Sequence, residues 1–404
     1  MDAELLIIGA GPAGLLAAWT AARAGPSRRI LVLDRLPGPG AKLAAAGGGR
    51  GNLSHLASEE EFAKAFGRQG RFTLPAFRAL PPDALRQVLS SIGVPTMLDP
   101  AGRLYPRSQS AAAVRDALFQ ACRNAGVRFA FGHAVQRVSH PSSLVAPWQV
   151  DSFTARSLLL AAGGRSSPRL GSDGSGFALA SSLGHPLTPP VPALVSIQTS
   201  ETWPGSLRGV SLPEASLSIA GSRDSARHGE MLFTHHGLSG PVVLNLSGRI
   251  ARLRHDARPV ALRLRLLPDK PDFARLRHDA GTRQLLSWLA ASLPRSLAAT
   301  LLDLSGIPED LTFSRLTAAQ ERALSIHLLE APLNVSGTGG FDESMVTSGG
   351  VALRQVRSDT LESRLHPRLF FAGEILDLDG PTGGWNLHWA FCSGHLAARG
   401  AQTP

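Results

Sequence analysis

The chain has 404 residues, 43% of them hydrophobic and 18% charged, and its formal net charge is +10. This length exceeds what one ordinary core accommodates, and the composition excludes a disordered chain. The lack of an uninterrupted apolar run of about 18 residues argues against a membrane-spanning helix, and two cysteines exclude a disulfide framework or an all-cysteine zinc site. The apolar start lacks a basic leader, which favours a cytoplasmic protein.

The first 34 residues predict a strand–helix–strand unit. Leu5 to Ile8 and Ile30 to Leu33 are continuous apolar runs, which are typical of parallel strands buried on both faces. Between them, Leu15 to Ala24 predicts a helix that stops at Gly25-Pro26.

The next 140 or so residues predict further helices and strands. Residues 59 to 90 have mostly helical patterning, and Ala111 to Ala125 predicts another helix. Val127 to Val138, Trp148 to Phe153 and Ser157 to Ala162 predict strands, the last of which leads into a glycine-rich loop.

From about residue 190 the patterning changes. Alternating segments at Ala193 to Thr199, Ser216 to Ala220 and Pro259 to Leu267 favour an antiparallel sheet or a small barrel. Residues 271 to 330 have helical patterning, and a final helix is predicted from Trp385 to Ala398.

The first chemical motif is the glycine loop that follows the first strand. Gly9 permits a tight turn, Gly11 lets the backbone approach a pyrophosphate, and Gly14 lets helix and strand pack closely. The helix that opens at Pro12-Ala13 adds unpaired N–H groups facing the phosphates. Asp34 lies 20 residues after Gly14, where a carboxylate accepts hydrogen bonds from a ribose. This combination predicts a bound dinucleotide, FAD or NAD.

The C-terminal segment favours FAD. Leu369 to Glu374 is an apolar strand that ends in Gly373 and an acid, which suits a contact to the ribityl hydroxyls. Gly384 then opens the last helix, whose N-terminus would stabilise negative charge on a reduced flavin. Further cofactor contacts are expected from neighbouring residues and from the glycine-rich turns at 47–52 and 162–164: Arg35, Lys42, Gly48, Gly49, Arg50, Asn52, Val135, Ala162, Gly163, Gly164, Trp385, Asn386 and Leu387.

These patterns predict an α/β fold, a Rossmann-like FAD-binding domain interrupted by an inserted β-barrel-like subdomain and a helical subdomain. The predicted boundaries place the two parts of the FAD domain at residues 1–190 and 346–404. The β-rich insertion covers 191–267 with a closing strand near 331–345, and the helical subdomain covers 268–330.

Several segments resemble the YhiN/BaiN-like family of NAD(P)/FAD-dependent oxidoreductases. They are spread over nearly the whole chain: Gly47 to Asn52, Ala161 to Gly174, Leu232 to Pro241, Thr347 to Val351 and Phe371 to Asn386. The resemblance implies a discontinuous FAD domain with a small barrel and a helical subdomain between its halves. Two positions depart from the family pattern. Gly51 stands where the family commonly has cysteine, which removes any thiol chemistry there, and Trp385 replaces a tyrosine.

The sequence indicates the cofactor more specifically than it indicates the reaction. No Ser-His-Asp set, HExxH helix or CxxC pair is apparent, so metal catalysis is not expected and the flavin would carry the electrons. NAD(P)H is a candidate reductant, although only one dinucleotide fingerprint is visible. His235, His236 and His388 are weak candidates for proton transfer, and each has a structural alternative.

The partner is expected to be a small organic molecule. The excess charge is almost all arginine, spread along the chain without interleaved aromatic residues, which favours an anionic cofactor or substrate over nucleic acid. An RNA-associated, tRNA-modifying type of flavoprotein and a non-catalytic flavin-binding protein are the two alternatives. The oligomeric state is not predicted.

Overall fold

A computed structural model describes residues 1–25, 28–140, 143, 146–222 and 226–402. Pro26, predicted with Gly25 to stop the first helix, lies outside these residues; the helix ends at Ala24. The chain divides into two compact units. Residues 1–192 and 345–404 form the first, here called the Rossmann unit, and residues 193–344 form the second, here called the barrel unit.

The strands, in chain order, are β1 (Ala3–Ile8), β2 (Ile30–Asp34), β3 (Ser54–His55), β4 (Thr96–Leu98), β5 (Arg103–Pro106), β6 (Arg128–Phe131), β7 (Val138–Ser139), β8 (Trp148–Val150), β9 (Phe153–Leu160), β10 (Leu187–Ala193), β11 (Ile197–Thr199), β12 (Ser211–Ile219), β13 (Arg227–Thr234), β14 (Gly237–Ser239), β15 (Ala261–Arg265), β16 (Ala331–Thr338), β17 (Val346–Val351) and β18 (Leu369–Phe371).

The α-helices are α1 (Pro12–Ala24), α2 (Ala41–Ala44), α3 (Glu59–Ala65), α4 (Leu74–Ala79), α5 (Pro82–Ser91), α6 (Ala111–Asn124), α7 (Ser175–Ser182), α8 (Trp203–Ser206), α9 (Pro241–His255), α10 (Phe273–Ala280), α11 (Leu285–Leu289), α12 (Arg295–Leu304), α13 (Ala318–Leu329), α14 (Gly340–Glu343) and α15 (Trp385–Gly400). Short 3₁₀ turns cover Gly67–Thr73, Pro168–Leu170, Phe313–Arg315, Leu353–Gln355 and Gly373–Ile375.

The centre of the Rossmann unit is a parallel sheet in the order β6-β2-β1-β9-β18. The two ends of β9 have different neighbours. Its first residues pair antiparallel with β8, and its last three residues, Leu158 to Leu160, pair parallel with β18. Helices α1, α15 and other elements pack over the sheet, as strands that are apolar along their length require. Leu6, Leu159 and Phe371 are fully buried.

Helices α1 and α15 cross at very close range. An added Cβ at Gly394 would lie 2.2 Å from the carbonyl oxygen of Ala13, which excludes any side chain at that position of α15. This close approach brings the C-terminal helix against the helix that follows the first strand. The N- and C-terminal segments of the chain therefore build one domain.

The barrel unit contains a closed barrel in the order β11-β14-β13-β12-β15-β16, with every pair antiparallel. Its strands alternate buried and exposed residues, with Leu217, Phe233 and Leu264 among the buried ones. The predicted helical segment forms α10 to α13, which share one hydrophobic core with the barrel. The predicted fold class, a Rossmann-like domain interrupted by a β-barrel, is confirmed.

Among the described residues, no helix is both long and apolar enough to cross a membrane.

Candidate functional site

Three loops meet at the carboxyl edge of the parallel sheet. The backbone N–H of Gly9 donates to Leu33 at 2.8 Å, that of Ala161 donates to Ile8 at 2.8 Å, and that of Ala372 donates to Leu160 at 3.1 Å. The loops after β1, β9 and β18 thus leave the sheet side by side. Ligands of open α/β sheets bind at this edge, and most of the predicted cofactor contacts follow these strands.

The glycine loop after β1 is tightly packed at both ends and open in its middle. A Cβ at Gly9 would lie 2.4 Å from the Ala161 carbonyl oxygen, and one at Gly14 would lie 1.9 Å from the Gly9 carbonyl oxygen. At Gly11, by contrast, no described atom lies within 4 Å of the added Cβ. Gly11 caps α1 without a side-chain hydrogen bond from the described residues, so the first N–H groups of α1 face this open space. A pyrophosphate fits this cradle.

Asp34 ends β2 beside the glycine loop. Its Oδ2 accepts a hydrogen bond from the Ala10 N–H at 2.6 Å, and its Oδ1 accepts one from the Leu36 N–H at 2.8 Å. Burial raises the pKa of the Asp34 carboxyl above its usual value, although both backbone hydrogen bonds oppose this shift. Each carboxylate oxygen keeps a further lone pair, so the group can still accept from a ribose hydroxyl.

Arg35 follows Asp34 but points its guanidinium toward the protein. It donates to the carbonyl oxygens of Pro168 at 3.0 Å and Gly171 at 3.3 Å, and its Nε lies 3.4 Å from Asp173 Oδ2. These contacts tie the end of β2 to the loop that follows β9. The geometry therefore gives Arg35 a positioning role at the edge of the site.

Glu374 lies at the centre of a dense polar cluster after β18. Its Oε2 accepts from Lys42 Nζ at 2.6 Å, and its Oε1 accepts from Ser166 Oγ at 2.6 Å and from the Thr347 N–H at 2.8 Å. Lys42 also donates to Ser166 Oγ. The side chains of Lys42 and Glu374 are 25% and 20% exposed, so this ion pair is largely removed from water.

Thr347 and Ser166 belong to this cluster, although the sequence alone did not mark them as site residues. Both are buried, and Thr347 Oγ1 accepts hydrogen bonds from the N–H groups of Arg165 at 2.8 Å and Ser166 at 3.0 Å. A Cβ at Gly164 would lie 2.4 Å from Thr347 Oγ1, so only glycine fits there. The signal was present in the Thr347-to-Val351 motif and in its match to the family pattern.

The turn at residues 47–52 packs against the start of α6. Gly47, Gly48, Gly49 and Gly51 all have φ between 60° and 84°. The Ala111 N–H donates to the Gly49 carbonyl oxygen at 2.8 Å, and added Cβ atoms at Gly48 and Gly49 would meet no described atom within 4 Å. The exposed Arg50 stacks over Tyr105 at 4.9 Å. The turn therefore presents open backbone to a ligand.

The start of α15 lies against the same turn. A Cβ at Gly384 would lie 2.6 Å from Asn52 Oδ1, and this oxygen is buried with no hydrogen-bond partner among the described residues. Trp385 stacks on His55 with ring centroids 4.7 Å apart. Asn386 Oδ1 accepts from the Gly380 N–H at 2.7 Å, which fixes the loop that leads into α15. The unpaired Asn52 oxygen suits a donor supplied by a bound molecule.

The remaining predicted contacts are less defined. Ala162 and Gly163 lie in the loop after β9, where Gly163 has a φ of 74°. Val135 lies between β6 and β7, half-buried against the core, and Leu387 is half-buried in the first turn of α15.

The three candidate histidines lie in different surroundings. His388 is fully buried: its Nε2 lies 2.8 Å from the Leu80 carbonyl oxygen, and its Nδ1 lies 2.6 Å from Ser54 Oγ. Burial lowers the pKa of His388 to about 4. It therefore holds a neutral ring in the core. His235 and His236 are exposed at the β13–β14 turn of the barrel unit, with ring centroids 6.0 Å apart.

The two thiols are buried, and the described part of the chain has no cluster suited to a metal. Cys122 and Cys392 are free and buried, and burial raises the pKa of the Cys122 thiol to about 12 and that of Cys392 further. Neither thiol forms a thiolate at neutral pH. No group of three or more His, Cys, Asp or Glu side chains suited to a metal occurs among the described residues.

Comparison with known proteins gives matches over nearly the whole chain. The model of the HI0933-like protein Rossmann domain matches residues 3–400. The 3-dehydro-bile acid delta(4,6)-reductase of Clostridium scindens is 33% identical, with 98% of each chain covered. The ribosomal RNA dihydrouridine synthase of Escherichia coli is 29% identical, with 98% of this chain and 97% of that protein covered.

Among solved structures, the 3-ketosteroid delta1-dehydrogenase of Sterolibacterium denitrificans has a TM-score of 0.54 at 14% identity, with 99% of each chain covered. The E. coli quinol fumarate reductase subunit FrdA has a TM-score of 0.53 at 15% identity, with 99% of this chain and 70% of that chain covered. At these identities the likeness concerns the fold alone.

Proposed function

This chain belongs to the HI0933-like family of FAD-dependent oxidoreductases, and we propose that it reduces a carbon–carbon double bond conjugated to a carbonyl group. The proposal rests on what two relatives share. A delta(4,6)-unsaturated 3-dehydro bile acid and a uridine both contain such a bond, and the names of both enzymes denote its reduction. The reduction adds a hydride and a proton across the bond, and FAD, once reduced by two electrons, would supply the hydride.

We assign the FAD contacts from the geometry of the Rossmann unit. The open cradle at Gly11 and the N-terminus of α1 would hold the pyrophosphate, and Asp34 would accept a hydroxyl of the adenosine ribose. Glu374, held by Lys42, would face the ribityl chain. The N-terminus of α15 at Gly384 would favour negative charge on the flavin's pyrimidine edge.

We propose NAD(P)H as the reductant, bound only transiently, because the sequence has one dinucleotide fingerprint and we assign that fingerprint to FAD. The proton that accompanies the hydride needs a donor near the substrate. His235 and His236 of the barrel unit, whose side chains are both exposed, are the proposed donors.

Anaerobic stopped-flow mixing tests this function. NADH or NADPH should bleach the flavin of the purified holoenzyme, and a simple conjugated enone such as 2-cyclohexenone should restore the oxidised spectrum. Cyclohexanone, which lacks the double bond, is the matched control and should leave the reduced flavin unchanged. Reoxidation at equal rates by both ketones, or by neither, would contradict the proposed reaction.

A uracil base within RNA is a second candidate substrate, and the charge distribution favours it. The Rossmann unit contains 25 Lys and Arg against 16 Asp and Glu, whereas the barrel unit contains 16 against 15. Nearly all of the net charge therefore lies on the unit that would hold the flavin. A net positive charge attracts a phosphate backbone, and its location on one unit was not suggested by the even spread of arginine along the sequence.

A further inference from the structure

A groove of about 430 Å³ lies on the Rossmann unit, between the 3₁₀ turn Gly67–Thr73 and the segment 353–364. Its apolar lining is Phe72, Leu353 and Val356, and its polar lining is Gln69, Arg354, Ser358 and Arg364. We call it the arginine groove. None of the contacts assigned to FAD above lines it.

The two arginines of the groove are available to a ligand. Arg354 and Arg364 are both exposed, and no hydrogen bond or ion pair joins either guanidinium to a described residue. Acids on the adjoining elements have other partners, and Glu362 Oε1 accepts from the Arg368 N–H at 2.7 Å. Asp359 lies 3.5 Å from Arg357 Nε, and Asp377 Oδ2 accepts from Thr188 at 2.7 Å and from Gln69 at 3.3 Å.

Phe72 adds an aromatic ring to the lining that contains the two arginines. It is half-buried and packs edge-on against Trp389 of α15, with ring centroids 6.4 Å apart. An aromatic ring and unpaired arginines in one groove are a combination that binds single-stranded nucleic acid, because a base stacks on the ring while guanidinium groups contact the phosphates.

The groove is also connected to the loop that precedes α15. Gln69 contacts Asp377, and Asp377 begins the segment that Asn386 holds at Gly380. A strand of nucleic acid lying in the groove would therefore run past the loop that leads to Gly384. This placement suits a substrate that presents one base to the flavin and binds elsewhere through its backbone.

We infer that the arginine groove is a docking surface for single-stranded RNA, with Arg354 and Arg364 contacting phosphates and Phe72 stacking a base. The inference rests on the second candidate substrate of the proposed function. A free nucleotide is a poorer fit, because small ligands are usually enclosed over most of their surface, whereas both arginines here are exposed.

Fluorescence anisotropy of the FAD-loaded full chain with a labelled oligouridylate tests the inference. The double variant R354E/R364E should weaken binding by about tenfold or more and reduce the magnitude of the salt slope by about 1.4, since each single-strand phosphate contact contributes about 0.7. The matched control is R123E/R137E, which changes the net charge equally at two other exposed arginines of the same unit.

F72L should weaken oligouridylate binding but leave binding of heparin, a polyanion without bases, unchanged. Equal losses in the two double variants would overturn the groove as the docking surface. Competition by polyglutamate as effective as that by RNA would assign the groove to acidic protein segments instead. The inference also fails if the wild-type chain binds no RNA at low salt. Reduction of 2-cyclohexenone by the same samples shows separately whether the proposed reaction occurs.

Discussion

At the scale of single residues, the site depends on which glycines are packed and which are open. Gly9, Gly14 and Gly164 cannot accept a side chain, because an added Cβ would lie within 2.4 Å of another atom. Gly11 has room and an ordinary backbone, with φ of −75°, yet the sequence keeps glycine there. The proposed pyrophosphate contact accounts for a glycine at this open position.

G11A separates ligand binding from folding. The added methyl would occupy the pyrophosphate cradle, so FAD affinity should fall about 10- to 100-fold, as expected for loss of one or two charge-assisted hydrogen bonds. The free energy of unfolding of the apoprotein should change by less than about 0.5 kcal/mol. Titration of apoprotein with FAD and urea unfolding give the two quantities.

The control is G25A, at the other end of α1, where the atoms nearest to the added Cβ belong to the flexible side chain of Arg28. This variant should bind FAD like the wild type. Unchanged FAD affinity in G11A would contradict the assignment of the cradle.

At the scale of elements, α15 joins the two sequence-distant parts of the Rossmann unit and carries two histidines, His388 fully buried and His395 half-buried. His388 and His395 lie in α15, and burial lowers the pKa of each to about 4. The folded protein therefore keeps both rings neutral at a pH where the unfolded chain, with a pKa of about 6.5, is already protonated. Stability should be fully present above about pH 6.5 and should decline as the pH falls toward 4.

H388Q should reduce this pH dependence. From about pH 7 to about pH 5, His388 alone accounts for about 2 kcal/mol of lost stability, because the pKa values of its folded and unfolded states bracket most of that interval. At pH 7 the variant should have a lower free energy of unfolding than the wild type. On acidification, however, its free energy of unfolding should fall by less, as measured by urea unfolding at each pH. The exposed His228 supplies the control H228Q; equal pH dependence in H388Q and wild type would refute the account.

Strands and turns could be predicted from the sequence because their signals are local. Apolar runs marked β1, β2 and β9, and glycines marked the loops that follow them. The Lys42–Glu374 ion pair joins residues 332 positions apart, and no local pattern encodes such a contact. No local pattern encodes the hydrogen bonds of Thr347 either, because they depend on how β17 approaches the loop after β9. The arginine groove is likewise not encoded locally, because its arginines are distant in sequence from Phe72.

At the scale of the whole molecule, each unit has its own core. The hydrophobic cluster of the barrel unit contains only residues from 197 to 335, and that of the Rossmann unit contains none of them. The insertion leaves and re-enters the Rossmann unit through paired strands, β10 and β17. A Cβ at Gly349 would lie 2.6 Å from the Pro189 carbonyl oxygen, and the Ala352 N–H donates to Pro186, so this pairing is antiparallel and the junctions lie close together.

A chain in which a short Gly/Ser linker replaces residues 193–344 should therefore fold and retain FAD, because every assigned cofactor contact lies in the Rossmann unit. Reduction of the substrate should be lost if His235 or His236 donates the proton. Circular dichroism and flavin absorbance of the purified deletion protein measure the outcome. A folded deletion protein that binds no FAD would show that the barrel unit contributes contacts of its own.

The most direct measurement of the central claim is the flavin content of the purified full chain. The protein should be yellow, release FAD on denaturation in a ratio of about one per chain, and take up FAD again when the apoprotein is refilled. A colourless protein that takes up no FAD would contradict the assigned site and the proposed reaction together.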